Sequence, residues 1–527
     1  MKNVMAVENI ILQVRNNAIV SGFVSIQGGK SAMFAEKIGG KRWGDDMAET
    51  AQDITDGVLE TDICVIGAGS GGLSVAAGAS QMGARVVLIE RSTMGGDCLN
   101  VGCVPSKALL AAAHAAQAQR DAAKFGIAAV EPQVDWAALR AHVKGVIDEI
   151  APMDSVARFE GLGVTVLRES AKFTGSAELR AGATTVRAKY FVIATGSRPA
   201  VPPIPGLDTV PYLTNETIFD VDGPVGRLIV LGGGPIGVEL AQAHRRLGAQ
   251  VTVIEQASIL PKDDPEAVAV VRDRLIAEGI DLREGAALQS VAATETGIEA
   301  TLSDGAVTGT HILIAAGRQP VVEDLNLDAA GVACDRTGVT VDKHLRTTNR
   351  RIFAIGDVTG GYQFTHMAGY DAGIVIRQAL FKMIWAKVDH RAVPWVTYTD
   401  PEVAQVGMTE AEAAKRLGPG KFQILRWGFA ENDRARADRQ IDGFVKVILD
   451  QKGRTVGATL VGAHAGELLL PWIQAVQEGR KMGTLAGLIA PYPTYSEITK
   501  RVAGSAFIPK LFSEKTRKLV RFLLRLG

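Results

Sequence analysis

Cysteine is scarce in this sequence: Cys64, Cys98, Cys103 and Cys334 are the only four in 527 residues. So few thiols cannot build the disulfide framework of a small secreted scaffold. A net charge is missing too, because 57 basic and 57 acidic side chains cancel. That neutrality leaves no electrostatic case for nucleic acid as a partner, since phosphate binding needs a basic face. No charge-free apolar run reaches the ~18 residues that a membrane span requires. Residues 1–25 hold neither a continuous apolar stretch nor a small-residue cleavage site of the secretory kind. The expectation from these absences is a soluble, cytoplasmic chain in a reducing compartment.

Core-forming material is abundant. Hydrophobic residues make up 47%, which excludes wholesale disorder, and at roughly 150 residues per domain the length points to three or four domains. The 58 glycines gather in short motifs rather than in low-complexity tracts. Residues 1–60 show only weak apolar alternation and an acidic polar stretch, and read as an N-terminal extension. From Thr61 the pattern sharpens. Asp62–Ile66 is a short β-branched strand, Gly67–Gly72 a glycine-rich turn, an Ala-rich helix follows to Met82, and Arg85–Glu90 is a second strand. The same cassette recurs over 227–255, with its turn at Gly232–Gly237. In each copy the first glycine precedes the terminal glutamate by the same interval, 67 to 90 and 232 to 255, so the architecture is duplicated. A helix is expected over Ser106–Phe125, and strands at 190–195, 311–316 and 351–355. Residues 391–508 mix Thr- and Val-rich strands with helices and read as a separate α+β domain.

Each cassette has the parts of a dinucleotide site. Gly67 allows the tight turn, Gly69 lets backbone N–H groups approach a pyrophosphate, and Gly72 lets helix and strand pack closely. Phosphate then lies at the helix N-terminus, and Glu90 can accept from a ribose hydroxyl. Gly232, Gly234, Gly237 and Glu255 repeat the arrangement. An acid at 255 repels a 2′-phosphate, and Gln256–Leu260 offers no arginine to bind one, so NADH is expected over NADPH. One held redox cofactor and one exchanging reductant is an enzyme's arrangement. The chemistry falls to Cys98 and Cys103, just ahead of a predicted helix whose N-terminus favours thiolate. A structural disulfide closing so short a loop contributes only about 2 kcal/mol, and a metal site would need further ligands that are not nearby. A redox-active dithiol is the better account.

With the two cassettes, the run from Gly95 to Lys107, GGDCLNVGCVPSK, resembles the FAD-dependent pyridine nucleotide–disulfide oxidoreductases, whose members include dihydrolipoamide dehydrogenase, glutathione reductase and mercuric reductase. The likeness extends from Thr61 to Phe507. It implies an α/β fold with two Rossmann-like dinucleotide-binding domains plus a C-terminal α+β dimerisation domain: FAD binding over 61–205 and 323–390, NAD(P) binding over 206–322, and dimerisation over 391–508. The extension 1–60 and a basic amphipathic tail, 509–527, flank them. FAD then takes the first cassette, with Gly96, and NAD(P)H the second. Cys98 looks like the thiol that meets the acceptor and Cys103 like the one facing the flavin. Lys107 resembles the family lysine near the flavin ring, with Glu239 as its partner. Thr195-Gly196-Ser197 and the segment at Gly317 match the crossovers between nucleotide domains, Asp357 the aspartate on the flavin's ribityl chain, and His366 a residue beside the flavin.

The resemblance breaks near the C-terminus. Thiol–disulfide members place a His five residues before a Glu, as a general acid/base lent to the partner subunit. Here the frame reads Tyr492-Pro493-Thr494-Tyr495-Ser496-Glu497, and a tyrosine, with its usual pKa of about 10, is a poor acceptor at neutral pH. His464 is the remaining candidate base in that domain. A Tyr at 492 resembles mercuric reductase, yet no cysteine follows Cys334, whereas that enzyme uses a C-terminal Cys pair. The tail, 510–527, carries six basic residues and one acid between apolar ones, which suits a helix in peripheral contact with the inner face of an anionic membrane. The expectation is a homodimeric, mercuric-reductase-like enzyme that passes electrons from NADH through FAD and the Cys98–Cys103 disulfide to a metal ion, a quinone or a specialised disulfide. The runner-up is a divergent dihydrolipoamide dehydrogenase, and from another class a flavin-bearing redox sensor without turnover.

Overall fold

The computed structural model describes residues 57–526, so most of the N-terminal extension lies outside the described residues. The first strand, β1 (Val58–Ile66), begins earlier than the expected boundary at 61. Its buried β-branched half, Ile63–Ile66, is what the sequence pattern marks; Val58–Glu60 extend it because they pair with Thr185–Arg187 of β3 (Thr184–Ile193). Helix α1 (Ser70–Gln81) and β2 (Val86–Ile89) complete the first cassette. The small side chains of α1 let it press on the sheet, with Val75, Ala76 and Ala79 fully buried.

The first sheet has seven strands. Val164–Leu167, β2, β1 and β3 run side by side and parallel; Ile352–Ala354 pairs parallel with β3, and the hairpin Ala171–Gly175 and Glu178–Ala181 adds antiparallel strands. The second cassette is β4 (Arg227–Leu231), α4 (Pro235–Arg246) and β5 (Gln250–Glu255). It belongs to a four-stranded parallel sheet, completed by Asp281–Glu284 and His311–Ile314. The C-terminal region is a five-stranded antiparallel sheet in the order Pro394–Thr397, Glu402–Gly407, Thr455–Gly462, Phe444–Asp450, Phe422–Gly428. Two sheets with parallel βαβ cassettes, each with its glycine turn beyond the strand ends, are the doubly wound layout that binds ligands at that edge.

Between the cassettes the chain leaves the first sheet as two helical pieces, α2 (Gly96–Asn100) and α3 (Cys103–Asp121). The apolar side of α3, including Leu109, Leu110 and Ala113, packs into one core with Val238, Leu240 and Ala241 of α4 and with Val403 and Phe444 of the C-terminal sheet. The dithiol segment is therefore anchored to the second, parallel sheet and to the C-terminal sheet. The C-terminal tail, expected as one helix, is two: Ile508–Leu511 and a helix Glu514–Leu523, divided at Ser513, whose hydroxyl caps the second piece. No helix among the described residues is long and apolar enough to cross a membrane.

Candidate active site

The glycines of the two cassettes divide the work in the same way. A Cβ at Gly72 would lie 1.9 Å from Gly67 O, and one at Gly237 would lie 1.9 Å from Gly232 O; these positions permit helix and strand to touch. A Cβ at Gly69 or Gly234 would meet nothing within 4 Å. Those two residues begin their helices with no side-chain cap, so the first N–H groups of α1 and α4 face open space that a diphosphate can occupy. Gly96 backs the first loop, its Cα side only 2.7 Å from Gly69 Cα for an added Cβ. Glu90 accepts from Ala68 N and from Ser92 N, each at 2.7 Å. Glu255 accepts from Gly233 N at 2.7 Å and Ala257 N at 2.9 Å. Each carboxylate thus ties its glycine loop to the strand end and keeps lone pairs for a ribose. The residues present fit two dinucleotides, FAD and NAD(P)H among them.

The dithiol stands where α2 ends and α3 begins. A Cβ at Gly102 would sit 2.5 Å from Asp97 Oδ1 and 3.2 Å from Cys98 Cα, so only glycine lets the two helical pieces close on one another. Cys103 is the first residue of α3, three residues ahead of the expected helix start, because Pro105 occupies the first turn, where its missing N–H costs nothing. The helix end offers its orphan N–H groups and positive dipole end there. All four cysteines are free thiols in this structure. The neighbouring Cys98 thiol, opposed by burial and assisted by Thr365 and the charge of Lys107, draws Cys103 down to about 6. Cys98 is pushed well above the ordinary thiol range by the neighbouring Cys103, by burial and by the Cys103 charge. Thr365 Oγ1 lies 3.6 Å from Cys103 Sγ.

Beside the thiols, Lys107 Nζ is 2.7 Å from Glu239 Oε2 and 4.3 Å over the Tyr398 ring. The other oxygen of Glu239 accepts from Tyr398 N at 2.9 Å. Glu239 is only 5% exposed, so the structure unites α3, α4 and the start of the C-terminal region at one buried carboxylate. The crossover segments pair as short antiparallel strands, Ser197–Pro199 with Arg318–Pro320. Val321 N donates to Gly196 O, Ala200 N to Gly317 O, and the Thr195 hydroxyl to Val321 O. The Ser197 hydroxyl donates to Asp357 Oδ2 at 2.6 Å; burial raises the Asp357 carboxyl, and that bond partly offsets it. Arg318 donates to Ser197 and forms an ion pair with Asp97, next to Cys98. His366 stacks on Phe364, its Nε2 2.9 Å from Pro394 O, and burial lowers its pKa.

The Tyr492 frame lies elsewhere in the chain. Tyr492 is 68% exposed, and its hydroxyl donates to Asp433 Oδ2 at 3.1 Å. That bond, then the Asp433 charge, raises its pKa. Glu497 pairs with Arg501 at 2.9 Å. Tyr495, buried, donates to Asp438 and Gln440 and meets His464 edge-on at 5.0 Å. Among the described residues no hydrogen bond, ion pair or ring contact joins Tyr492, Glu497 or His464 to the dithiol within one chain. Nor does any cluster of three or more His, Cys, Asp or Glu side chains among them form a metal cage. Thr365 and Tyr398 escape a reading by motif: each touches the site from a distant segment and carries no signal beyond its residue type, whereas Asp97 stands inside the Gly95–Lys107 run.

The pyridine nucleotide–disulphide oxidoreductase family description matches residues 61–372, and that family's dimerisation domain matches 393–503. The chain is similar to a mercuric reductase from Staphylococcus aureus, 34% identical over 449 residues that cover 84% of this chain and 82% of the relative. It is similar to a dihydrolipoyl dehydrogenase from Halobacterium salinarum, 34% identical over 473 residues, 86% of this chain and 97% of the relative. Among solved structures, the Cu(II) complex of the HOCl-induced flavoprotein disulfide reductase RclA from Escherichia coli superposes with a TM-score of 0.76 at 29% identity, covering 84% of this chain and 99% of that one. LpdA from Mycobacterium tuberculosis gives a TM-score of 0.78 at 28% identity, covering 85% and 99%.

Proposed function

The chain belongs to the pyridine nucleotide–disulphide oxidoreductase family, which is FAD- and NAD(P)H-dependent, and from that premise we propose that it spends NADH to reduce a soft divalent metal ion through the Cys98–Cys103 couple. The observation that carries this reading is the placing of Cys98 and Cys103 at the junction of α2 and α3, with Thr365 Oγ1 3.6 Å from Cys103 Sγ, beside a lysine held by a buried glutamate. Gly67, Gly69, Gly72, Glu90, Gly96, Thr195, Gly196, Ser197, Asp357 and His366 would hold FAD. Gly232, Gly234, Gly237, Glu255 and Gly317 would hold NADH. Bound flavin supplies a ring that takes hydride from nicotinamide and exchanges electron pairs with sulfur.

The chain's own groups set the sulfur chemistry. The Cys103 thiolate is kept ionised by the Cys98 thiol, Thr365, Lys107 and the α3 N-terminus. Glu239 fixes Lys107, so its cation stays beside Cys103 Sγ whether the pair is open or bridged. Closing the Cys98–Cys103 bond releases two electrons and, with Cys103 already ionised, one proton; a divalent metal ion takes both electrons. Thiolates suit soft ions, and the mercuric reductase relative and the Cu(II) complex of RclA support a metal acceptor. A raised Tyr492 hydroxyl gives no general base at neutral pH, which counts against free lipoamide. The second reading, a divergent dihydrolipoamide dehydrogenase, has the Halobacterium relative in its favour.

The proposal includes a cytoplasmic homodimer. The matched dimerisation domain supports the homodimer, as do the bare apolar side chains of that region, Leu470 at 71% and Ile489 at 96% exposure. The deciding experiment is an acceptor screen with FAD-loaded protein and NADH, including Hg(II), Cu(II), quinones and lipoamide. Metal-dependent NADH oxidation that is lost in both Cys98→Ser and Cys103→Ser is the expected result. Faster turnover with dihydrolipoamide and NAD would select the second reading.

A further inference from the structure

The helix Glu514–Leu523, called α5 here, lies past the matched dimerisation domain, which ends at 503. The redox chemistry uses none of it. Its attachment is ordered locally: the Ser513 hydroxyl accepts from Thr516 N at 3.3 Å, and the Thr516 hydroxyl donates to Lys510 O at 2.8 Å. No residue of α5 is buried, and among the described residues no other element packs extensively on it. A helix of ten residues is marginal in water without a partner for its apolar face.

At 100° per residue, Leu519, Val520, Phe522 and Leu523 fall on one side, which Lys515 and Thr516 of the first turn share, and three of the four apolar residues are more than half exposed, at 55%, 57% and 53% for Leu519, Phe522 and Leu523. Arg517, Lys518 and Arg521 share the opposite side. The acid of the helix, Glu514, stands in its first turn, where the helix dipole favours it. The complementary surface is negative outside and apolar beneath.

We propose that α5 docks the protein on the surface of an anionic phospholipid bilayer. Leu519, Phe522 and Leu523 enter the headgroup–acyl boundary, and Arg517, Lys518 and Arg521 meet lipid phosphates. The contact is peripheral and independent of the metal-reduction reading, because no residue of the dithiol site takes part.

The test is cosedimentation of the FAD-loaded full chain with phosphatidylcholine vesicles, with and without phosphatidylglycerol, alongside subunit mass in solution. The full chain is expected to bind the anionic vesicles and to leave them at high salt. Lys518→Ser with Arg521→Ser should weaken binding roughly twenty-five-fold, at about fivefold per basic residue. Leu519→Glu with Leu523→Glu should abolish it, while flavin content and NADH oxidation in solution stay unchanged and show that the variant is folded. Equal sedimentation of the full chain and the double Glu variant would overturn the proposal. So would conversion of that variant from dimer to monomer, which would make α5 a subunit contact.

Discussion

Replacing Cys98 by alanine should strand the Cys103 thiolate. In the native pair the Cys98 thiol is the largest single influence lowering Cys103 to about 6, well under the ordinary thiol value of about 8.5. At pH 7 a group titrating near 6 is roughly nine-tenths ionised, whereas one near 8.5 is ionised to only a few per cent. Cys98→Ala removes the donor but leaves the Thr365 hydroxyl and the Lys107 charge, so the midpoint should rise by at least about one unit, short of the full return. Cys98→Ser keeps a donating hydroxyl and should stay near the native midpoint. The readout is the long-wavelength absorbance of a thiolate beside flavin, titrated with pH in FAD-loaded protein. The wild type is first reduced by dithiothreitol; the single-thiol variants need no reduction. Cys103→Ser should lack the band. A wild-type midpoint near 8.5, or identical midpoints for the alanine variant and the wild type, would refute the reasoning.

Further outcomes follow from other contacts. Glu239→Gln keeps an acceptor for Tyr398 N but leaves Lys107 without a charged partner; because Lys107 is partly exposed, the loss should be about 1–3 kcal/mol in urea unfolding, less than for a fully buried pair. Burial pushes Asp371 up to about 6, so across that window the folded chain keeps a proton the unfolded chain has released, and stability falls as pH rises from about 4 to 6. Asp371→Asn still accepts from Gly356 N and should stabilise by up to about 3 kcal/mol at pH 8, much less near pH 5, by the same titration. Glu255→Ala frees the N–H groups of Gly233 and Ala257 and removes the charge that repels a 2′-phosphate; the kcat/KM ratio of NADH to NADPH should fall by about tenfold or more. An unchanged ratio would remove Glu255 from cofactor choice.

The cassettes were legible because their signals are local. Glycine spacing, β-branched strands and a terminal acid all fall within one short window, twice over, and two parallel βαβ cassettes with open helix ends stand where that spacing puts them. The start of α3 was less so. Pro105 in sequence looks like a barrier before a helix, yet in a first turn it is harmless, and only the closeness of Gly102 to Asp97 reveals why the helix begins at Cys103. Thr365 lies 262 residues from the thiol it touches, and Tyr398 is 159 residues from Glu239; no window along the chain brings such pairs together. The Ser513 cap that divides the tail reads as an ordinary polar residue inside an amphipathic run. Tyr492 is different again: its frame is plain in sequence, but its hydroxyl rests on Asp433 in one chain, and its meaning for the dithiol depends on a subunit pairing.

The most direct measurement is an anaerobic titration of FAD-loaded protein with NADH, counting electrons taken up per flavin. A sulfur couple in exchange with the flavin makes the wild type accept more than the two electrons that flavin alone can hold, and reduces Cys98→Ser and Cys103→Ser to that flavin-only capacity. A wild type that saturates at two electrons per flavin, with free thiols unchanged in number before and after, would contradict the assignment of Cys98 and Cys103 as the redox pair.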